Sequence, residues 1–257
     1  MEENNRKGPG VFYAVVGVAT LVVAIIGATF AYFSASTNAE GDTIQGNTLD
    51  VSSADLAVRV DKVTFTNKTV TTNLAPALVG TSGIANPSAL TEAHVKAMLN
   101  ANCEEANKYT GCHVWKITAN NNNTNDAITH ANILLDLAVT VNDGGDKSQW
   151  GYAVFTATGD VAAASVSAVT YAEVPSGSQN HGSLSTALDD LDIHNNKSLA
   201  ANGEVVYYLM VFLNDDKAVQ NAEEPATGTS TDARGSYQGS VTLKAMDGEV
   251  RATFTVA

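Results

Sequence analysis

The histidines of this sequence, His94, His113, His130, His181 and His194, are the first place to look for catalysis or metal binding. Zinc hydrolysis on a helix needs two histidines four residues apart with a glutamate beside the first, so that both imidazoles face one ion. No HExxH occurs, and His94 has no second ligand one helical turn away. An activated serine needs the sharp GxSxG elbow that lifts the hydroxyl clear of the backbone. That motif is absent, and SGSQNHG at 176–182 reads as a loop. No Gly-rich phosphate loop is present either. The acidic stretches NDGGD (142–146) and LNDD (213–216) offer oxygen ligands to calcium, but neither has the spacing of an EF-hand, and solvated turns are the simpler reading. These residues imply no catalytic site, and the chain reads as a non-enzyme. They imply no cofactor, with calcium the one ion left open.

Cys103 and Cys112 are the only cysteines, in CEEANKYTGC. No CxxC or Cys/His spacing suits a metal, and in an oxidising exterior the pair closes a small disulfide loop. Export is expected from the other end of the sequence. Residues 11–33 carry no charge; at about 1.5 Å per residue they span roughly 35 Å, enough for a hydrocarbon core of about 30 Å. Arg6 and Lys7 precede the run and the next basic residue is Arg59, an asymmetry that keeps the short N-terminus inside and sends the rest across. Thr29 and Ala31 in GATFA form an A-x-A-like cleavage signal before Tyr32, STNA ends in a second candidate at Ala39, and an uncleaved anchor is the third option. The expected organisation is a signal peptide or membrane-anchor helix over 1–31, an extended segment over 32–50 and a β-domain over 51–257. The full chain of 257 residues carries 14 basic and 27 acidic side chains, net −13, which disfavours contact with phosphate backbones and so excludes nucleic acid as a partner.

Beyond the leader, Val, Thr, Ala, Asn, Ser and Gly dominate, and apolar residues alternate, as half-buried strands require. LAVRVDKVTFT, HVWKIT, ANILLDLAVTVN, QWGYAVFTATG and AASVSAVTYAEV read as strands. EVVYYLMVFLN, the most apolar stretch after the leader, is expected at the centre of a sheet. SYQGSVTLKAMDG with VRATFTVA reads as a final hairpin turning at Asp247–Gly248. NNNNTND is an exposed turn. Near-helical spacing of Leu90, Val95, Met98 and Leu99 predicts a helix over about 88–100, inside an insertion at about 85–112, and LSTALDDLDIH predicts a second helix of two or three turns. Eight to ten strands with these helices make an all-β sandwich.

GATFAYFSAS…GNTLDVS resembles the start of the TasA/camelysin family, exported fibre-forming proteins of Gram-positive biofilm matrix. YYLMVFLNDD…QNAEE…GSYQGSVTLKAMDG and CHVWKIT are similar to later segments of that family. The resemblance implies a jelly-roll sandwich, cleavage between Ala31 and Tyr32, and self-association into filaments by donor-strand complementation, with Tyr32, Phe33, Ile44 and Leu49 as anchors of the donor segment. While Tyr32 and Phe33 sit in a membrane helix that segment cannot dock, so cleavage acts as the assembly switch. The expected place is extracellular or at the cell surface, with residues 11–33 in the membrane before cleavage or without it. Two other readings stand beside the fibre subunit. One is an anchored binding ectodomain using loops such as 119–127. The other is a pilin-like subunit retaining its helix, although the glutamate of type IV pilin helices is missing. A protease, the activity traditionally attached to camelysin, has no motif here.

Overall fold

A computed structural model of the chain describes residues 43–45, 47–48, 55–66, 74, 79, 84–105, 109–141, 147–215, 235–245 and 248–256. The leader over 1–31, the Ala31–Tyr32 junction, and Tyr32, Phe33 and Leu49 lie outside these residues, as do NDGGD at 142–146 and most of the acidic stretch after Asp215. Among the described residues no helix is long and apolar enough to cross a membrane.

Fifteen strands are described. In chain order they are β1 (Thr43–Gln45), β2 (Asn47–Thr48), β3 (Leu56–Lys62), β4 (Glu104–Glu105), β5 (Tyr109–Thr110), β6 (Cys112–Asn121), β7 (Ile128–Val141) and β8 (Trp150–Asp160). Then follow β9 (Ser165–Tyr171), β10 (His181–Ser183), β11 (Leu188–Asp192), β12 (Lys197–Leu199), β13 (Glu204–Leu213), β14 (Gly235–Ala245) and β15 (Gly248–Val256). The strands beyond the expected eight to ten are mostly pieces of two or three residues. The first sheet runs β1-β3-β6-β13-β8, with β9 and β10 both on the outer edge of β8. The second runs β7-β14-β15-β2, with β11 and β12 on the outer edge of β7. All these pairings are antiparallel. β4 and β5 make a separate small ladder.

The two sheets enclose one apolar core. Val58 and Val60 of β3, Trp115 and Ile117 of β6, and Leu209 and Val211 of β13 meet Ile133, Leu135 and Leu137 of β7, Val241 and Leu243 of β14 and Phe254 of β15. This is an all-β, sandwich-like fold. The second sheet is open to water on its far face, which is why β7 alternates between buried and half-exposed residues. The middle of the first sheet, β6, β13 and β8, is covered on both faces. Its outer face packs Val114, Ala153, Phe155, Met210 and Phe212 against Leu90, Val95, Met98 and Leu99 in a second core. Double burial explains the near-continuous apolar run of β13, expected at the centre of a sheet and found between β6 and β8. It also explains Gly151: a Cβ there would collide with the Phe212 ring.

Three expectations about helices and turns are tested by these elements. The helix over 88–100 is split. Pro87–Ala89 makes one 3-10 turn, the chain extends at Leu90 and Thr91, and α1 runs Glu92–Asn100. Thr91 resets the start, its hydroxyl accepting the His94 N–H at 3.3 Å as an N-cap. The helix expected in LSTALDDLDIH does not form. Leu188–Asp192 is β11, paired to β7 with a bulge between Leu188 and Leu191. Leu191 and Ile193 are buried two residues apart, and Asp190 takes a positive φ of 49°, its N–H donating to Asp136 Oδ1 at 2.9 Å. The final hairpin is found as β14–β15, closing at Ala245↔Gly248.

The disulfide between Cys103 and Cys112 is present, with Cα atoms 5.1 Å apart and both residues buried. It joins the end of α1 to the start of β6.

Candidate functional site

A sheet edge is the part of a β-protein that can pair with another strand, because its N–H and C=O groups have no partner on one side. The sandwich has two sides, and its sequence finishes their edges by different means.

On one side the edges are β3 of the first sheet and β15 of the second, which stack on each other. Residues 43–45 and 47–48 serve both. β1 pairs with β3 in the register Thr43↔Asp61, Ile44↔Val60, Gln45↔Arg59. Directly after it, β2 pairs with β15 as Asn47↔Arg251 and Thr48↔Val250. The segment therefore straps the two sheets together across the side of the sandwich. It covers three of the seven residues of β3 and two of the nine of β15. The edge of β15 from Ala252 to Val256 has no partner strand among the described residues. Charges mark this side: Arg59 pairs with Asp61, and Arg251 reaches Asp136 at 3.2 Å and Ser240 Oγ at 2.7 Å.

On the opposite side the edge of β9 is closed by side chains of α1. Asn100 Nδ2 donates to Val166 O at 2.9 Å while its Oδ1 accepts from Val166 N at 2.8 Å, the two-bond exchange a neighbouring strand would make. Glu92 Oε1 accepts from Tyr171 N at 2.8 Å at the other end of the helix. Beside it, His181 of β10 stacks on Tyr171 with centroids 4.5 Å apart and planes 8° apart. Asn180 fixes that ring: its Nδ2 donates to Ala172 O, leaving Oδ1 facing His181 Nδ1 at 2.8 Å. The remaining edge, β11 and β12 on β7, is short and bulged in both strands, a form that discourages pairing.

The side chains singled out for chemistry are dispersed. Among the described residues no three His, Cys, Asp or Glu side chains come together as a metal site. Asn214, in the stretch read as a calcium loop, is buried and its Nδ2 donates to Ile84 O and Gln149 Oε1. His113 and His194 act as interlayer contacts instead. Trp115 Nε1 donates to the Tyr237 hydroxyl at 2.9 Å, and His113 Nδ1 lies 2.8 Å from the same oxygen, joining β6 to β14 across the core. His194 Nδ1 lies 3.0 Å from Tyr207 Oη, joining the turn after β11 to β13. Burial holds the His194 imidazole below its ordinary pKa; Lys197 adds to this, and Asp192 and the Ser198 backbone oppose it. Burial pushes the Tyr207 hydroxyl up to about 12, and raises Tyr237 further still. No pattern in the sequence could have found these contacts, which join residues 124 and 13 positions apart.

A cavity of about 360 Å³ opens at the end of the sandwich beside Asp55, Asn123, Asp126 and His130. Its amides are committed to the turn itself. Asn121 Nδ2 donates to Asp126 O, Leu199 O and Ala200 O, and Asn123 Oδ1 accepts from Asn125 N and Asp126 N. The exposed turn expected in NNNNTND begins only at Asn122; Ala119 and Asn121 are buried at the end of β6, and the turn is built as a brace between strand ends. Of the donor-segment anchors, Ile44 alone falls within a described strand, opposite Val60.

The chain matches no protein-family model, no curated protein and no solved structure.

Proposed function

We propose that this protein is an exported structural subunit that assembles into an extracellular fibre or matrix by lending its N-terminal segment to a neighbouring copy. The observation that carries the reading is the strap. One short segment, 43–48, makes ladder pairings with the open edges of both sheets. A strand added in cis at an edge has the same hydrogen-bonding groups to offer in trans, and strand addition supplies affinity through the main chain. Removal of the leader at Ala31–Tyr32 would free Tyr32 and Phe33 from the membrane, and with Ile44 and Leu49 they would anchor the exchanged segment. The jelly-roll form of the sandwich, the likeness to TasA and camelysin, and a place outside the cell belong to the same proposal. No catalytic role is assigned.

Paired cysteines test the exchange. With Gln45→Cys and Arg59→Cys, which are register partners in β1 and β3, exchange between copies yields a covalent ladder of multimers on a non-reducing gel. Closure only within monomers, at every concentration, would overturn the reading. N-terminal sequencing separates the alternatives: Tyr32 or Glu40 as first residue of protein from the medium fits a cleaved subunit. Recovery solely in membranes with an intact start fits an anchored ectodomain or a pilin-like subunit.

A further inference from the structure

The irregular edge of the second sheet carries a feature that strand geometry does not require. The turn between β11 and β12 ends in Asn195-Asn196 and leads into Lys197-Ser198 of β12, and all four residues are exposed. Asn195 and Asn196 take positive φ of 49° and 57°, and the Asp192 carboxylate holds the turn by accepting from His194 N and Asn195 N. This conformation presents the Asn196 side chain outward, while Asn100, Asn121, Asn123, Asn180 and Asn214 all commit their amide nitrogens to hydrogen bonds.

Asn196-Lys197-Ser198 is an Asn-x-Ser/Thr triplet, the acceptor pattern for N-linked sugar in exported chains. Two others occur, at 67–69 and 122–124; a fourth match, Asn86-Pro87-Ser88, is barred by its proline. Residues 67–69 lie outside the described residues. Asn122 is exposed, but its triplet is folded into the brace: Asn123 N donates to Asn121 Oδ1, and Asn123 Oδ1 holds Asn125 N and Asp126 N. A transferase that needs the triplet drawn into its groove would have to break those bonds. In the 196–198 triplet the acceptor Asn196 precedes β12, and what holds the triplet lies at the outer edge of the sheet: Lys197 pairs opposite Ala131 of β7 and makes an exposed ion pair with Glu173 at 2.8 Å, and the Ser198 backbone meets His194.

We propose that Asn196 is an N-glycosylation site. This rests on the export reading above, because the transfer takes place on the outer side of the membrane. The donor is a polyprenyl-diphosphate-linked oligosaccharide. Asn196 Nδ2 attacks C1 of the first sugar, the C1–N bond forms as the C1–O bond to diphosphate breaks, the lipid diphosphate leaves, and the amide proton passes to a base of the transferase. A glycan here stands beside the β11–β12 edge and bars strand addition to it, leaving β3 and β15 as the edges open to a second copy.

The test is mass spectrometry of the full chain from its native cells, fractionated into cytosol, membrane and exterior. Digestion uses a protease that spares Lys197. The expected result is a peptide containing Asn196 that is heavier by whole sugar residues in the exported fraction. The added mass is lost in Ser198→Ala, which leaves the asparagine and its turn untouched, and kept in Ser198→Thr. An exported chain with Asn196 unmodified, or with sugar on Asn122 alone, overturns the site while leaving export intact. A folded chain found solely in the cytosol overturns export and the glycan with it.

Discussion

The two sides of the sandwich solve one problem in opposite ways. At β9 the edge is met by a nine-residue helix whose Asn100 and Glu92 stand in for a neighbouring strand, and whose apolar face is buried against the sheet. A disulfide then ties the end of that helix to β6. At β3 and β15 the cover is a few residues of paired backbone from a single segment. The first closure rests on apolar burial and a covalent bond; the second rests on ladder hydrogen bonds, each of modest net value because water competes for the same groups. The first therefore belongs to the stability of the fold, and the second can be traded for an equivalent strand at little cost.

The comparison breaks most plainly if the helix side turns out to be dispensable. Leu99 is fully buried between α1 and the first sheet, and Leu99→Ala is expected to destabilise by about 2–5 kcal/mol through lost transfer energy and the cavity left behind. The shift in denaturant midpoint checks it. Replacing both Cys103 and Cys112 by serine is expected to cost about 2–4 kcal/mol, measured on the oxidised wild type against the variant. A smaller and more pointed change is Asn100→Ala. It leaves the N–H and C=O of Val166 without partners, at roughly 1–3 kcal/mol for groups this buried. Hydrogen exchange at Val166 should quicken, while exchange along β7 and β14 stays as it was.

Acid sharpens the contrast from another direction. His194 is buried among Tyr207, Lys197 and Asp192 and its folded pKa lies below the ordinary 6.5. The unfolded chain then binds more protons than the folded one at a pH between the two values. Stability is complete above about 6.5, declines as the pH falls through the window toward the lower folded value, and levels off below it. His181 shifts in the same direction, again chiefly by burial. Denaturant midpoints taken from neutral pH downward should show this loss, and His194→Gln should flatten part of it.

What could be read beforehand follows from how local each signal is. Period-two patterning found β3, β7 and β8 because each buries alternate residues, and one cysteine pair left one disulfide to draw. LSTALDDLDIH misled because Leu184, Leu188 and Leu191 recur at helical spacing. The contact that decides the matter is pairing to β7, about fifty residues earlier in the chain. The helical insertion was legible, but its purpose was not. Nothing in EAHVKAMLN announces that Asn100 and Glu92 will face the backbone of β9, since that depends on where a strand some sixty-six residues later comes to lie. The strap was legible as an extended segment; that it meets both sheets follows from β3 and β15 lying side by side.

The smallest effect on folding is expected at the strap, and there the two sides can be told apart within one experiment. In an antiparallel ladder alternate residues donate toward a given partner. Of Ile44→Pro and Gln45→Pro, one therefore removes an N–H that β3 receives and the other removes one that points away. Proline is tolerated at an edge where its N–H would point away, so that variant is expected to shift stability by no more than about 0.5 kcal/mol, and the one that loses its ladder bond by about 0.5–1.5 kcal/mol. Assembly should divide them. The variant that loses its ladder bond should form fewer or shorter filaments by negative-stain microscopy, and its partner should assemble as the wild type does. Equal assembly by both would mean that the pairing of 43–45 with β3 plays no part in joining copies. A loss of several kcal/mol in either would mean that the strap is as integral to the fold as the helix across from it.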